Sequence, residues 1–318
     1  MQFFMCCAII RYHDIKNCDF AIIESKIDDA QSFFLEINRS PYIKYFNKLI
    51  SLSSHGAILD ICELEDYSNF YFEDDRASFF WIQSSVKKIS NKSYFYVFEE
   101  GIGSYLSSYR RDMGFLRKLK WYIYSRVFGL SLDFGGSSLT TKIYLQHPSL
   151  YNKLNPKLEH KSCYSGLLIS VILEENYYWD SYLERALNLS GALNGFNKKA
   201  ALLLGTWEGF GSDFECFDSE NYDLIFYKKH PHCVNQDNKP DSFPAGVSVI
   251  NASWVPAEAI AIFIKTKCTE MDVYHFSSSI SLYLENYHGI NFIDLANHAR
   301  FREIMNEKIK LDFIHNAV

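Results

Sequence analysis

The chain has 318 residues, 48% of them hydrophobic and 22% charged, with a formal net charge of −6. That length is about twice a typical domain, so two domains are expected. The acidic balance argues against a nucleic-acid binder, which would show a basic excess, and no apolar run approaches the length of a bilayer span.

Met1–Ile10 is apolar but has neither a basic leader nor a small-residue cleavage site, so Phe3–Ile10 is expected to be a first core strand rather than a signal peptide. Phe20–Glu24, Lys48–Ser51, Tyr94–Glu99 and Thr141–Gln146 read as further strands, being short, rich in β-branched or aromatic residues and bounded by polar ones. Asp28–Glu36 and Arg76–Ile89 read as helices between them, and the basic aromatic stretch Arg110–Arg126 as an amphipathic helix. Pro148–Lys199 is the expected connection: Ser165–Glu175 fits strand or helix, Trp179–Leu189 fits a helix and Gly191–Asn197 a loop.

Alternation then resumes. Ala200–Leu204, Asp223–Tyr227, Val247–Ile250 and Val273–Phe276 read as strands. Val255–Ile264, with Pro256 in its first turn, and Ser277–Glu285 read as helices, and Phe292–Ile314 as mostly helical. Such alternation implies βαβ units and parallel sheets, here an α/β chain of two Rossmann-like domains over residues 1–155 and 156–318. The last helix is free to pack back on the first domain. Eight cysteines, none in a C-x-x-C pair and most inside apolar runs, point to a reduced, cytoplasmic setting.

In such folds ligands bind beyond the carboxyl ends of the strands, so the residues there are the candidates. Glu99-Glu100-Gly101 follows Tyr94–Phe98; one carboxylate can face a ligand as general base, or the pair is a solvated acidic turn. Gly205-Thr206 closes Ala200–Leu204, and Glu208 and Asp213 beyond it are rival bases. Lys228-Lys229-His230-Pro231 follows Asp223–Tyr227; His230 could hold or protonate a leaving phosphate, or the stretch is a basic loop. Glu258, in the first turn of its helix, could bind ribose hydroxyls or cap backbone N–H groups. Ser277-Ser278-Ser279 could cap a helix or cradle a phosphate. A second His-Pro, His147-Pro148, lacks the lysine two residues earlier and reads as structural.

Taken in order, Glu99-Glu100-Gly101, Lys228-Lys229-His230-Pro231, Pro256-Ala257-Glu258 and Ser277-Ser278(-Ser279) resemble the motif set of the bacterial sialyltransferases. These include the lipooligosaccharide enzymes of glycosyltransferase family 52 and the capsular polysialyltransferases. The resemblance implies a GT-B fold, two Rossmann-like domains facing each other across a cleft. It implies an inverting, metal-independent transfer of sialic acid from CMP-Neu5Ac to a terminal sugar of a cell-surface glycan, with no cofactor. By the same resemblance Glu100 or Glu99 is the base, His230 meets the donor phosphate, and Lys228 lies near the cytosine. Glu258 then binds the ribose, and Ser277 and Ser278, with Ser279, the phosphate. The lipooligosaccharide branch takes its base from the Glu208–Asp213 region instead, so both places stay open. The partners implied are a CMP-sugar and an oligosaccharide acceptor. Three readings of Arg110–Arg126 stand side by side: peripheral contact with the inner leaflet, binding of an anionic acceptor, or a solvated helix face. The competing functions are transfer of another CMP-activated acid sugar such as Kdo, capsule polymerisation, a non-catalytic nucleotide-binding module, and a nucleotide-sugar hydrolase or epimerase.

Overall fold

The structure is a computed structural model and describes residues 1–24, 30–76, 78–105, 115–166, 169–175, 183–184, 198–205, 217–230, 246–250, 255–285, 287–296 and 299–316. The chain divides into two compact units. The first comprises Met1–Ser25, Tyr45–Leu168 and Arg302–Val318; the second comprises Lys26–Lys44 and Ile169–Phe301.

In the first unit, β1 (Cys18–Ile23) pairs in parallel with β2 (Phe46–Leu52). Strands β3 (Asn69–Phe72), β4 (Tyr94–Phe98), β5 (Thr140–Leu145) and β6 (Ser162–Tyr164) form a second parallel sheet in sequential order. Its helices are α1 (Gln2–Tyr12), α3 (Ile58–Leu64), α4 (Ser78–Ile89), α5 (Phe115–Phe128) and α6 (Pro148–Leu154). The second unit carries α2 (Ala30–Arg39) and α7 (Ile169–Glu174). Its sheet is built from β7 (Lys199–Leu204), β8 (Leu224–Lys228), β9 (Val247–Ile250), β10 (Glu270–His275) and β11 (Ile290–Asp294). Helices α8 (Ala257–Lys265) and α9 (Ile280–Leu284) connect its later strands, and α10 (Ala299–Asn316) closes the described chain.

The second sheet is parallel throughout, in the order β11-β10-β7-β8-β9. This is the doubly wound pattern, whose order reverses between β7 and β10. Ala200, Ala201, Leu202, Leu203 and Leu204 are all buried, so β7 is covered on both faces, which is why it reads as an unbroken apolar run. One face packs on α8, where Ile260, Ala261, Ile262, Phe263 and Ile264 are buried. On the other, Ala201, Leu203, Ile225 and Tyr227 form a core with Phe217, Tyr222 and Tyr274 against it. Each fully buried leucine contributes about 1.5–3 kcal/mol.

Two expectations need correction. Phe3–Ile10 is not a strand: it is the body of α1, with Phe3, Phe4, Met5, Cys7, Ala8, Ile9 and Ile10 buried. A helix covered on all sides loses its 3.6-residue polar periodicity and looks like a buried strand; the length of the run was the discriminating signal. Gly166, at φ +114, lets the chain after β6 pass against α1, where a Cβ would lie 2.3 Å from the Tyr12 Cβ. Phe292–Ile314 is mostly helical, as expected: its first residues end β11 and the helix runs on from Ala299. Pro256 is the N-cap of α8 rather than a first-turn residue.

Ser165–Glu175 resolves as α7, whereas β3, β6, α3 and α6 went unforeseen. Asp28 and Asp29, most of Trp179–Leu189 and all of Gly191–Asn197 lie outside the described residues.

Asp75 holds the first unit's sheet to the turn before β5. It is fully buried and accepts from Gly135 N (2.9 Å), Ser137 N (3.0 Å) and Thr140 Oγ1 (2.7 Å). Removing it strands three donors away from water. Asp75→Ala should therefore lower the unfolding free energy by about 2–4 kcal/mol in a urea titration.

Candidate functional site

In the second unit, four chain segments bring the expected donor-side residues to the carboxyl edge of the sheet. Lys228 ends β8 and points to the α8 face, 4% exposed. Glu258, in the first turn of α8, is 5% exposed and interacts electrostatically with Lys228. Ser279 donates its hydroxyl to Glu258 Oε1 at 3.4 Å. Burial pushes the Lys228 ammonium down to about 8, with Glu258 pulling the other way. Burial likewise pushes the Glu258 carboxyl up, opposed by a bond from its own backbone N–H, by Lys228 and by Ser279. Two buried groups of opposite charge thus act on each other at the carboxyl edge of the sheet.

Gly205 follows β7, and its N–H donates to Lys228 O at 2.9 Å. A Cβ at this position would lie 2.5 Å from the Tyr227 hydroxyl and 3.4 Å from His230 N. The close neighbour is the Tyr227 side chain, which a Cβ here would displace, while half-buried His230 lies in ordinary contact range beside the end of β7. Thr206, Pro231, Glu208 and Asp213 lie outside the described residues.

The serine turn after β10 is held by two residues that sequence reasoning missed. Ser277 has φ +52, a left-handed conformation, with its N–H on Asp294 Oδ1 at 2.7 Å and its hydroxyl 3.4 Å from Asp294 Oδ2. Ser278 N donates to His275 Nδ1 at 3.2 Å. His275 is 1% exposed, and burial pushes its imidazole down to about 4 against the pull of Asp294. Ser277 is therefore committed to Asp294, whereas the hydroxyls of Ser278 and Ser279 line the turn ahead of α9. Asp294 ends β11, the neighbour of β10; that pairing was its only available signal.

The first unit gathers carboxylates at the carboxyl ends of β3 and β4. Glu99 is fully buried and accepts from the Tyr105 hydroxyl, which itself accepts from His147 N at 3.1 Å. This bond fixes the scaffold beside His147-Pro148, and Pro148 opens α6. Glu100 points the opposite way, exposed, and takes Gln2 Nε2 on Oε1 at 3.1 Å, while its N–H donates to Ser104 Oγ. The motif thus separates into a structural and an accessible acid. Gly101, at φ +146, makes the turn between them and Ser104.

Glu73, directly after β3, is the residue the sequence reading passed over. Gln2 bonds it as well as Glu100, and burial followed by the Glu100 charge pushes its carboxyl up to about 7. Burial and Asp74 also push Glu100 up, opposed by the Arg76 charge and the hydrogen bond from Gln2. Asp74 is turned away, accepting from Arg76 Nε at 2.8 Å.

No protein family and no curated protein matches the sequence. Among solved structures, the chain is similar to the α/β-galactoside α-2,3-sialyltransferase of Photobacterium phosphoreum. The TM-score is 0.55 at 11% identity, over 96% of this chain and 92% of that one. UDP-GlcNAc 2-epimerase from Methanocaldococcus jannaschii gives a TM-score of 0.47 at 12% identity, over 96% and 89%. Its complex with UDP-GlcNAc and UDP gives 0.47 at 14%, over 97% and 89%. The likeness is one of fold: two Rossmann-like α/β units of the GT-B type.

Glu73 makes a pH signature. Between pH 4.5 and about 7 the folded chain keeps a proton on Glu73 that the unfolded chain has released, so stability falls as pH rises through that window. In chemical denaturation at a series of pH values, Glu73→Gln should flatten this decline, by roughly 2 kcal/mol across the window.

Proposed function

We propose that the chain is a glycosyltransferase-like enzyme using a nucleotide-activated sugar, and specifically an inverting, metal-independent sialyltransferase with CMP-sialic acid as donor. The observation that carries this reading is the convergence of Lys228, Glu258 and Ser279 at the carboxyl edge of a doubly wound sheet. Those residues come from three of the ordered motifs, and the fold is similar to that of a bacterial α-2,3-sialyltransferase.

In this reading Glu258 binds the ribose hydroxyls, with Lys228 favouring its charged form against burial. Lys228 lies against the cytosine side. His230 and the hydroxyls of Ser278 and Ser279 receive the phosphate. The acceptor hydroxyl oxygen bonds to the anomeric carbon of the sugar as the bond from that carbon to the phosphate oxygen breaks. CMP leaves with the bonding electrons, and the hydroxyl proton passes to Glu100. Attack opposite the leaving group inverts the anomeric centre. The transition state carries oxocarbenium character, so donors aimed at the departing phosphate act where charge develops. The upward push on Glu100 suits a base that must take a proton near neutrality. The acceptor is a terminal sugar of a cell-surface glycan.

CMP, but not UDP or GDP, should raise the melting temperature, and Glu258→Gln should remove that rise. Release of CMP from CMP-sialic acid with a lactose-terminated acceptor tests turnover. His230→Ala should abolish it while leaving the fold intact, and Glu100→Gln should lower kcat about 10²–10⁴-fold with CMP binding retained. Stabilisation by CMP without turnover on any CMP-sugar would instead mark a binding module, and a fully active His230→Ala enzyme would remove His230 from the mechanism.

A further inference from the structure

Helix α5 turns its apolar stripe outward. Leu116, Leu119, Ile123 and Val127 fall at i, i+3, i+7 and i+11, one face of a helix, with Phe115 and Tyr122 beside them. All six are exposed, Leu116 by 79% and Phe115 by 77%. The helix holds to its unit by the opposite side, where Trp121 and Tyr124 are half-buried, Tyr124 meets Phe128, and Phe128 meets Trp81 of α4 edge-on at 5.3 Å. Burial in the protein core therefore does not explain the stripe. A contiguous exposed apolar face of this kind marks a contact surface.

Charge identifies the partner. The chain as a whole is acidic, yet α5 carries Arg117, Lys118, Lys120 and Arg126 and no acidic residue. Lys120 and Arg126 are exposed at the margins of the stripe, over the rings of Tyr124 (5.4 Å) and Tyr122 (5.6 Å). Apolar side chains flanked by cations and amphipathic rings suit the boundary between anionic headgroups and acyl chains. A second copy of this chain would meet the same cations with its own, like charge against like. No helix among the described residues is long and apolar enough to cross a membrane, so the contact is a surface one.

We propose that α5 is a docking surface for an anionic lipid bilayer, seated by Phe115, Leu116, Leu119, Ile123 and Val127 and drawn in by the basic residues of the same helix. This surface is independent of the proposed chemistry and stands or falls separately.

Flotation with vesicles tests it. The full chain should float with phosphatidylcholine vesicles containing phosphatidylglycerol and remain behind with phosphatidylcholine alone, and molar salt should weaken the binding. Leu116→Glu with Ile123→Glu should abolish flotation. Lys120→Gln with Arg126→Gln should weaken it about 25-fold, since each cation near an anionic surface is worth about fivefold. Circular dichroism and the melting temperature should be unchanged, because the substituted side chains lie outside the core. Absence of wild-type binding to the anionic vesicles would overturn the proposal, as would binding kept by both double variants. Concentration-dependent self-association that the glutamate variant removes, without any vesicle binding, would also overturn it and assign the stripe to a second copy.

Discussion

At the end of β8 a lysine and a glutamate, 4% and 5% exposed, share one small volume withdrawn from water. Neither would be stable there alone, because an unpaired buried charge loses its hydration without return. Their pairing requires β8, the start of α8 and the serine turn to be in register at once. Gly205 adds a steric requirement to the electrostatic one, since a side chain there would collide with the buried Tyr227 ring of β8. Mutual dependence of this kind defines a place rather than a set of residues.

Much of this was legible in the sequence because parallel sheets are read by their ends. Once Ala200–Leu204, Asp223–Tyr227 and Val273–Phe276 are recognised as strands, Gly205, Lys228 and Ser277 must lie at one edge of one sheet. Alternation along β4 likewise predicts that Glu99 and Glu100 diverge, one to Tyr105 and one to solvent. Glu73 was missed for a local reason: Asn69–Phe72 is only four residues long, and the acids after it read equally well as the start of α4. Asp294 and His275 were missed for a non-local one. Their partners are the backbone N–H groups of Ser277 and Ser278, and no sequence pattern records an acceptor for a turn. Gln2 was missed because the helix containing it was taken for a strand.

The two aromatic-rich helices of the first unit show how little composition says about burial. Helix α1 is apolar over Phe3–Ile10 and buries most of that stretch, whereas α5 interleaves apolar and basic residues and leaves an apolar stripe outside. The cations decide the difference. Lys120 and Arg126 stand in the open beside the stripe, and a helix carrying such cations cannot be enclosed without neutralising partners.

The His275 contact has a bearing on how the protein tolerates acid. Ser278 N–H needs a bare lone pair on His275 Nδ1, and burial preserves that lone pair down to about pH 4. An unfolded chain takes up the same proton near 6.5. Mild acidification therefore rewards opening of the serine turn well before the folded ring titrates. A proton arriving on Nδ1 would then set donor against donor and leave the left-handed Ser277 with Asp294 as its remaining tether.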